Sequence, residues 1–362
     1  MSPPRNKPAV LVGMSGGVDS SVTAAILKRR GFNVVGGFIK NWSDSKDLWT
    51  GECNWRGERR DAIRVAAQLG IPVLTFDFET EYRRRVLKDF FSCYEAGGTP
   101  NPDVLCNEMI KFGLFFEAAK DLRMDFVATG HYARIRRDPD GVAHLRRGSD
   151  PEKDQSYFLY RVPQDALKQT LFPIGHLRKA AVRSLAKQWK LPVAAKPDSQ
   201  GICFVGKLDL AEFLRKKIPS RPGRIVNPDG DPLGRHDGLD QYTIGQRAGI
   251  RVSRGGKAWY VAGKDLKRNE LLVVPSDDHP LLYRTSAVLH DLRWTRGAAP
   301  TMPLRGDVQV RYRQPPVRAV LTPGTKKGTV HVEFDAPVKA VAAGQSAVIY
   351  RGKECLGGGV IG

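Results

Sequence analysis

"VLVGMSGGVDSSVTAAILKRRG", residues 10–31, begins as a short apolar run and ends as a helix, with two glycines, an aspartate and a cluster of serines between. Short, continuously apolar runs read as strands buried on both faces of a parallel sheet. Gly16 and Gly17 permit positive φ, which lets successive N–H groups face one point. A helix starting near Ser20 adds its positive dipole end there, and Ser15, Ser20 and Ser21 add hydroxyls. The turn is therefore an anion cradle. It lacks the spacing and the lysine of the G-x-x-x-x-G-K-[ST] phosphate loop. Asp19 would repel a phosphate unless a cation lies between them, so Mg²⁺ is inferred.

The alternation continues outward from this turn. "FNVVGGFI" (32–39) and "PVLTFDF" (72–78) read as strands, and "RRDAIRVAAQLG" (59–70) as a helix stopped by Gly70. "EYRRRVLKDFFSCYEAG" (81–97) puts Tyr82, Val86 and Phe90 on one helical stripe. "NEMIKFGLFFEAAKDL" (107–122) reads as a helix and "DFVATGHYARI" (125–135) as a strand. This predicts an α/β, doubly wound parallel sheet, whose ligands bind at the carboxyl ends of the strands. From about Val205 the texture changes to Gly- and Pro-rich turns, then to short alternating runs such as "DVQVRYR" and "GTVHVEF", which read as an antiparallel β-barrel or sandwich. The expected division is a catalytic domain over 1–205, a small β-rich domain over 206–275 and a barrel over 276–362.

The chain has 362 residues and a formal net charge of +20, the electrostatic footprint of a protein whose partner is a polyanion. No run approaches a membrane span, and neither a signal nor a transit peptide is read at the N-terminus. The five cysteines, Cys53, Cys93, Cys106, Cys203 and Cys355, form no C-x-x-C pair. That argues against a secreted disulfide framework and a four-cysteine zinc site, and no resident metal is predicted. In "GGTPNPDVLCNEMIKF" (97–112), Asn107 reads as an N-cap that would place Cys106 just ahead of a helix N-terminus, where thiolate is favoured. Asp103, three residues earlier, is a candidate acid or base. The same stretch reads equally as a buried cysteine beside a capped helix. Cys203, in "KPDSQGICFVG" (196–206), is ambiguous by itself; Cys53, Cys93 and Cys355 have no visible chemical helper.

"SGGVDSS" resembles the pyrophosphate loop of the ATP pyrophosphatase superfamily, which implies AMP-forming chemistry without fixing the substrate. Together with "FIKNW", "TPNPDVLCN", "TGHYARI", "KDQSYFLY", "FPIGHLRK", "DSQGICF", "YTIGQR", "VRYR", "AAGQSAVIY" and "CLGGGVI", the chain resembles the tRNA-uridine 2-sulfurtransferases, or tRNA-specific 2-thiouridylases, nearly end to end. The resemblance implies ATP-dependent 2-thiolation of the wobble uridine of tRNAs for Lys, Glu and Gln in the cytoplasm, with ATP and Mg²⁺. It implies Cys106 as nucleophile, Cys203 as persulfide carrier, the two joined as a disulfide in the cycle, and Asp103 as acid or base. Gly13, Met14, Ser15, Gly16, Gly17, Val18, Asp19, Ser20, Ile39 and Gly130 resemble ATP contacts. Asn101, Pro102, Asp103, Lys153, Asp154, Gln155, Arg311 and Tyr312 resemble tRNA contacts. Ile39 stands where the family often has Met, Pro197 interrupts the usual run before "DSQGICF", and the loop bearing Cys53 is atypical. The sequence leaves open the sulfur donor, a cysteine desulfurase or a relay protein, and whether Asp103, Cys106 and Cys203 hold an iron–sulfur cluster. The alternatives are another AMP-forming ligase, for which no ammonia-supplying region is evident, and a non-catalytic tRNA-binding protein, against which Asp103, Cys106 and Cys203 argue.

Overall fold

The structure, a computed structural model, describes residues 7–43, 54–198, 210–215, 217–247, 249–250, 252 and 258–362. Cys53 and Cys203 lie outside the described residues. The N-terminal part is built on strands β1 (Ala9–Gly13), β2 (Asn33–Lys40), β3 (Val73–Asp77), β4 (Phe126–Ala128) and β7 (Thr170–Leu171), all parallel, in the order β3-β2-β1-β4-β7. Helices α1 (Val18–Arg29) and α2 (Asn54–Leu69) cover one face, where Ala24, Leu27, Ala62 and Val65 meet Val10, Val12 and Phe38. The helical run 102–121 covers the other, where Phe112 and Phe115 meet Leu11 and Val127. Both faces are buried, which is why the strands carry uninterrupted apolar runs. Tyr82, Val86 and Phe90 are buried as their spacing predicted.

"DFVATGHYARI" is not one strand. It supplies β4, then a turn, then β5 (Ala133–Arg137), which pairs antiparallel with β6 (Ala143–Arg147) in a different sheet. Thr129 Oγ1 and His131 Nδ1 lie 2.7 Å apart within that turn. Apolar residues on both sides of a polar Gly-containing turn imitate a single strand, and only the partner strands separate them.

A four-stranded sheet follows, β10-β11-β8-β9, made of β8 (Gly223–Val226), β9 (Pro232–His236), β10 (Tyr260–Asp265) and β11 (Glu270–Val274). The rest is a closed six-stranded barrel of β12 (Tyr283–Trp294), β13 (Leu304–Gln309), β14 (Val317–Pro323), β15 (Val330–Lys339), β16 (Ser346–Arg351) and β17 (Glu354–Ile361). The twelve-residue β12 closes it by pairing with both β15 and β17 across register shifts. Closure leaves no open sheet edge.

The β5–β6 hairpin joins the barrel through Glu354 opposite Arg146 in β17. Leu145, Tyr157 and Tyr160 of the N-terminal part share one core with Val348, Tyr350 and Cys355 of the barrel. Arg147 stacks 3.6 Å over the Tyr350 ring, and the Tyr157 hydroxyl donates to Ser346 O at 2.8 Å. Burial pushes the Tyr157 hydroxyl and the Cys355 thiol up, so both stay neutral. Leu145→Ala is expected to cost about 2–5 kcal/mol, and urea unfolding followed separately in each part should shift in both. A shift confined to the N-terminal part would contradict the shared core.

Candidate active site

The sheet order reverses between β1 and β4, so a crevice opens beyond their carboxyl ends, the usual ligand position in such sheets. The Gly16–Gly17 turn follows β1 and Gly130 follows β4. Gly16 has φ +69°, and a Cβ there would strike the Glu58 carbonyl. A Cβ on Gly130 would lie 2.8 Å from the Asp19 carbonyl carbon and the Ser20 nitrogen. Glycine at Gly130 is thus what lets the turn after β4 press onto the first turn of α1.

That helix starts at Val18, two residues earlier than the sequence suggested, with Gly17 as N-cap and no side-chain cap. The first-turn N–H groups have no intrahelical acceptor, and the helix dipole adds to them. The serine hydroxyls are bonded within the loop. Ser20 Oγ and Ser21 Oγ donate to Gly17 O at 3.2 and 2.7 Å, and Ser20 Oγ accepts from Ser15 N at 3.2 Å. The hydroxyls hold the loop, and the backbone supplies the anion-facing donors.

Asp19 is paired within the chain. Lys179, the first residue of the helix Lys179–Gln188, places its Nζ 2.8 Å from both Asp19 oxygens and 2.9 Å from Asp198 Oδ1. The Tyr132 hydroxyl also donates to Asp19 Oδ1 at 2.8 Å. The lysine missing from the loop arrives from 160 residues downstream. Its only signal in the sequence was the end of "FPIGHLRK".

Asp198 gathers Lys153 Nζ (2.9 Å) and Arg183 Nη2 (2.5 Å) as well. Lys196 Nζ donates to Gly16 O at 3.0 Å and pairs with Asp61 at 2.8 Å. The chain leading toward Cys203 is thereby pinned to the cradle on both sides of Pro197. Sequence reasoning missed Lys179, Lys196, Asp198 and Tyr132.

Across the crevice, Cys106 lies inside a helix rather than ahead of one. The helix begins at Pro102, with Asn101 as N-cap accepting from Val104 N at 3.4 Å. Proline at the first helical position suits this start, since its missing N–H would be unpaired anyway. Asp103, Cys106 and Asn107 fall at i, i+3 and i+4 and share one face. Cys106 is fully buried, packed with Trp42, Tyr82, Phe90 and Ile110. A π-helical segment, Asn107–Leu114, starts directly after it, a feature frequent at functional sites.

The loop before this helix is clamped by both of the other parts of the chain. Thr99 N donates to Ala343 O at 2.8 Å, and Gln345 Nε2 donates to Thr99 O at 2.8 Å. Lys264 Nζ donates to Gly97 O at 3.0 Å, and its burial lowers its pKa to about 8. Arg161, buried, ties the helix to the barrel through Glu108 (2.5 Å) and Asp291 (2.8 Å).

The remaining residues expected at the site have the following surroundings. Gly13 and Met14 end β1, Met14 N donating to Gly37 O at 2.8 Å, and Ile39 packs against the core around Cys106. Gln155 Oε1 accepts from Tyr132 N at 3.0 Å. Asp154 is buried and its carboxylate accepts from Arg147, Gly148 N and Ser156, which makes it part of the hairpin's support. Arg311 is exposed, and Tyr312 packs on Phe158 with centroids 4.4 Å apart. Among the described residues, no group of three or more His, Cys, Asp or Glu could hold a metal ion.

The cradle at the switch point of the doubly wound sheet, bordered by Lys179, occupies the usual ligand position of an α/β fold, and Cys106 is buried in the helix that follows Asn101. Three family descriptions match in series: "tRNA methyl transferase HUP domain" over residues 8–207, "tRNA methyl transferase PRC-barrel domain" over 211–275 and "Aminomethyltransferase beta-barrel domain" over 284–361. The tRNA-specific 2-thiouridylase MnmA of Lacticaseibacillus paracasei is 46% identical over 97% of this chain and 93% of that one. The protein of the same name from Geobacillus thermodenitrificans is 47% identical over 97% and 94%. The chain belongs to the tRNA-specific 2-thiouridylase family. Among solved structures, a 4-thiouridine synthetase–RNA complex with bound ATP is 14% identical, covers 59% of this chain and 50% of that one, and has a TM-score of 0.37.

The ion cluster sets an acid limit. Burial pushes the Asp198 carboxyl up, but hydrogen bonds from Lys179 and Lys153 outweigh it and hold the group well below the usual carboxylate range. Its contribution to stability is therefore complete above the unfolded value of about 3.9 and lost as pH falls toward the folded one. Asp198→Asn should lower the urea midpoint at pH 7, and the gap from wild type should shrink between about pH 4 and pH 2. A gap that is constant across that range would contradict the network.

Proposed function

We propose that this chain thiolates C2 of the wobble uridine in tRNA at the expense of ATP, cleaved to AMP and pyrophosphate. The observation that carries this reading is the cradle with Lys179 facing it, in a chain that matches tRNA-specific 2-thiouridylases over 97% of its length. The uracil C2 oxygen is a poor leaving group. Attack by that oxygen on the α-phosphorus of ATP makes it part of an adenylate, and pyrophosphate departs into the donors after Gly17. Preorganised N–H groups and a lysine stabilise that developing charge without reorganising. On this reading Gly13 to Ser20, Ile39 and Gly130 border the ATP, and Mg²⁺, when bound, would neutralise phosphate charge beside Asp19.

Cys203 carries the transferred sulfur as a persulfide. Its terminal sulfur bonds to C2 and AMP leaves with the former C2 oxygen. The Cys106 thiolate then attacks the Cys203 sulfur, freeing 2-thiouridine and leaving a Cys106–Cys203 disulfide, which a cellular thiol must reduce before the next turnover. Asp103, on the same helical face as Cys106, is placed to move the proton. Exchange of this kind needs an accessible thiolate. The full burial of Cys106 implies that tRNA or nucleotide binding opens the cluster around Trp42.

The net charge of +20 supports tRNA as the polyanion, with Asn101, Pro102, Asp103, Lys153, Gln155, Arg311 and Tyr312 in its path. The tRNAs are those for Lys, Glu and Gln, the sulfur comes from a cysteine desulfurase directly or through a relay protein, and the compartment is the cytoplasm. No helix among the described residues is long and apolar enough to cross a membrane.

With ATP, tRNA and a desulfurase supplied with labelled cysteine, wild-type protein should yield 2-thiouridine by nucleoside mass spectrometry. Cys203→Ser should consume ATP in a tRNA-dependent manner yet form no thiouridine, and Cys106→Ser should accumulate labelled sulfur on Cys203. Lys179→Met should raise the KM for ATP at least about tenfold, the loss of one charged hydrogen-bonding partner. Full thiolation by either cysteine variant would overturn the two-cysteine reading.

A further inference from the structure

A basic cavity lies away from the cradle. It sits beside β7, the edge strand of the parallel sheet, has a volume of about 320 Å³, and is lined by Arg30, Arg134, Arg137 and His176 together with Phe32 and Phe172. No carboxylate lines it. Arg30 comes directly after the twelve-residue α1, whose other end carries the cradle. At 1.5 Å per residue, Arg30 stands roughly 18 Å along the helix axis from that cradle. The cavity is therefore separate from the crevice, yet joined to it: the run 172–179 leaves the cavity at Phe172 and His176 and ends at Lys179 beside Asp19.

The arginines here lack anionic partners. Elsewhere arginines of low exposure are paired, Arg161 with Glu108 and Asp291, Arg147 with Asp154 and Arg183 with Asp198. Arg134 Nε donates to Arg147 O at 3.0 Å, and among the described residues both its Nη groups are without an acceptor. Arg137 donates to Lys168 O at 3.0 Å and to Thr170 O at 2.6 Å, carbonyls that anchor it without neutralising it. Burial lowers the Arg137 pKa, and no carboxylate offsets the effect. Both guanidinium groups are thus held in place while their charge is unmatched.

This chemistry narrows the ligand. A guanidinium with free N–H groups matches a phosphate in both geometry and charge. Aromatic rings beside it suit a base, since stacking on them tolerates any base. A base held in a duplex is not free to enter a cavity, so the nucleotide is an unpaired one. The volume lies at the small end of the roughly 300–1,000 Å³ usual for small-ligand sites, which fits one nucleotide and not two. A nucleic acid carries phosphates along its whole length, so a strand that reaches the crevice has others to place at this distance.

We propose that the cavity is a second nucleotide site, which takes the phosphate and base of one unpaired tRNA nucleotide other than the target uridine. This rests on the functional reading above, in which tRNA is the substrate. AMP, the product of that reaction, has the same chemistry, and the experiment separates the two sources.

The test compares the full wild-type chain with Arg30→Gln/Arg134→Gln and with Lys326→Gln/Lys327→Gln, which removes the same charge from an exposed turn of the barrel. The arginine variant should raise the KM for tRNA at least about tenfold, with kcat and the KM for ATP within about twofold. Its plot of log tRNA affinity against log salt should be shallower by about 1 to 2. The lysine variant should have the smaller effect on both. Arg30→Gln alone alters an exposed side chain, so it should fold and move the KM for tRNA in the same direction. Ultraviolet cross-linking of bound tRNA should leave a nucleotide on the tryptic peptide 169–178 of wild type and not of the arginine variant. An unchanged KM for tRNA in both Arg30 variants, or equal losses in the arginine and lysine variants, would overturn the proposal. With a non-hydrolysable ATP analogue filling the cradle, a further equivalent of AMP bound by wild type and lost in the arginine variant, at unchanged tRNA affinity, would overturn the tRNA source and assign the site to the free product. Wild type that neither binds tRNA nor forms thiouridine would overturn the functional reading itself, whereas thiolation at wild-type KM by the arginine variant would overturn this inference alone.

Discussion

A single ammonium group, Lys179 Nζ, holds three parts of the site in one place. It lies 2.8 Å from Asp19 in the first turn of α1 and 2.9 Å from Asp198 at the head of the segment leading to Cys203. Without it, two carboxylates would stand unneutralised at the mouth of an anion site and repel phosphate. With it, the mouth carries a cation that is only 13% exposed and little screened by solvent. The cradle and the segment leading to Cys203 are thus coupled by geometry before any ligand arrives. Lys196 repeats the device on the far side of Pro197, joining Gly16 O and Asp61.

The second constraint is the way the C-terminal barrel is built into the first domain. The β5–β6 hairpin extends the barrel's β17 edge, and Tyr157 and Tyr160 are buried against Val348 and Tyr350. The helix of Asp103 and Cys106 starts from a loop that the barrel holds through Gln345 and the four-stranded sheet holds through Lys264. The barrel and the helix bearing Cys106 are consequently tied to one support. That arrangement suits chemistry in which the base must be taken out of its stack before it can react.

Much of this was legible in residues 10–31, because strand, glycine turn and helix are local and each has its own signal. Legibility failed where a residue's role depends on a partner far away in the chain. Lys179 opens an amphipathic helix and looks like any exposed lysine until Asp19 is seen beside it. "DFVATGHYARI" reads as one strand because its two halves are both apolar, although they belong to different sheets. Asn101 and Asn107 are both plausible N-caps, and the choice of Asn107 moved Cys106 out of its helix. Pro102 at the first helical position was the local clue that decides for Asn101. Arg30, Arg134 and Arg137 have no sequence signature as a group, since their gathering around one cavity is defined only by the fold.

The central claim is that the C2 oxygen of uridine is activated at the α-phosphorus of ATP and leaves with AMP. The most direct measurement follows that oxygen. A tRNA carrying oxygen-18 at C2 of the target uridine is turned over with ATP and a persulfide donor, and the AMP is weighed by mass spectrometry. The account requires one labelled oxygen in AMP for each 2-thiouridine formed. Unlabelled AMP, with the isotope appearing in water or in pyrophosphate, would contradict it.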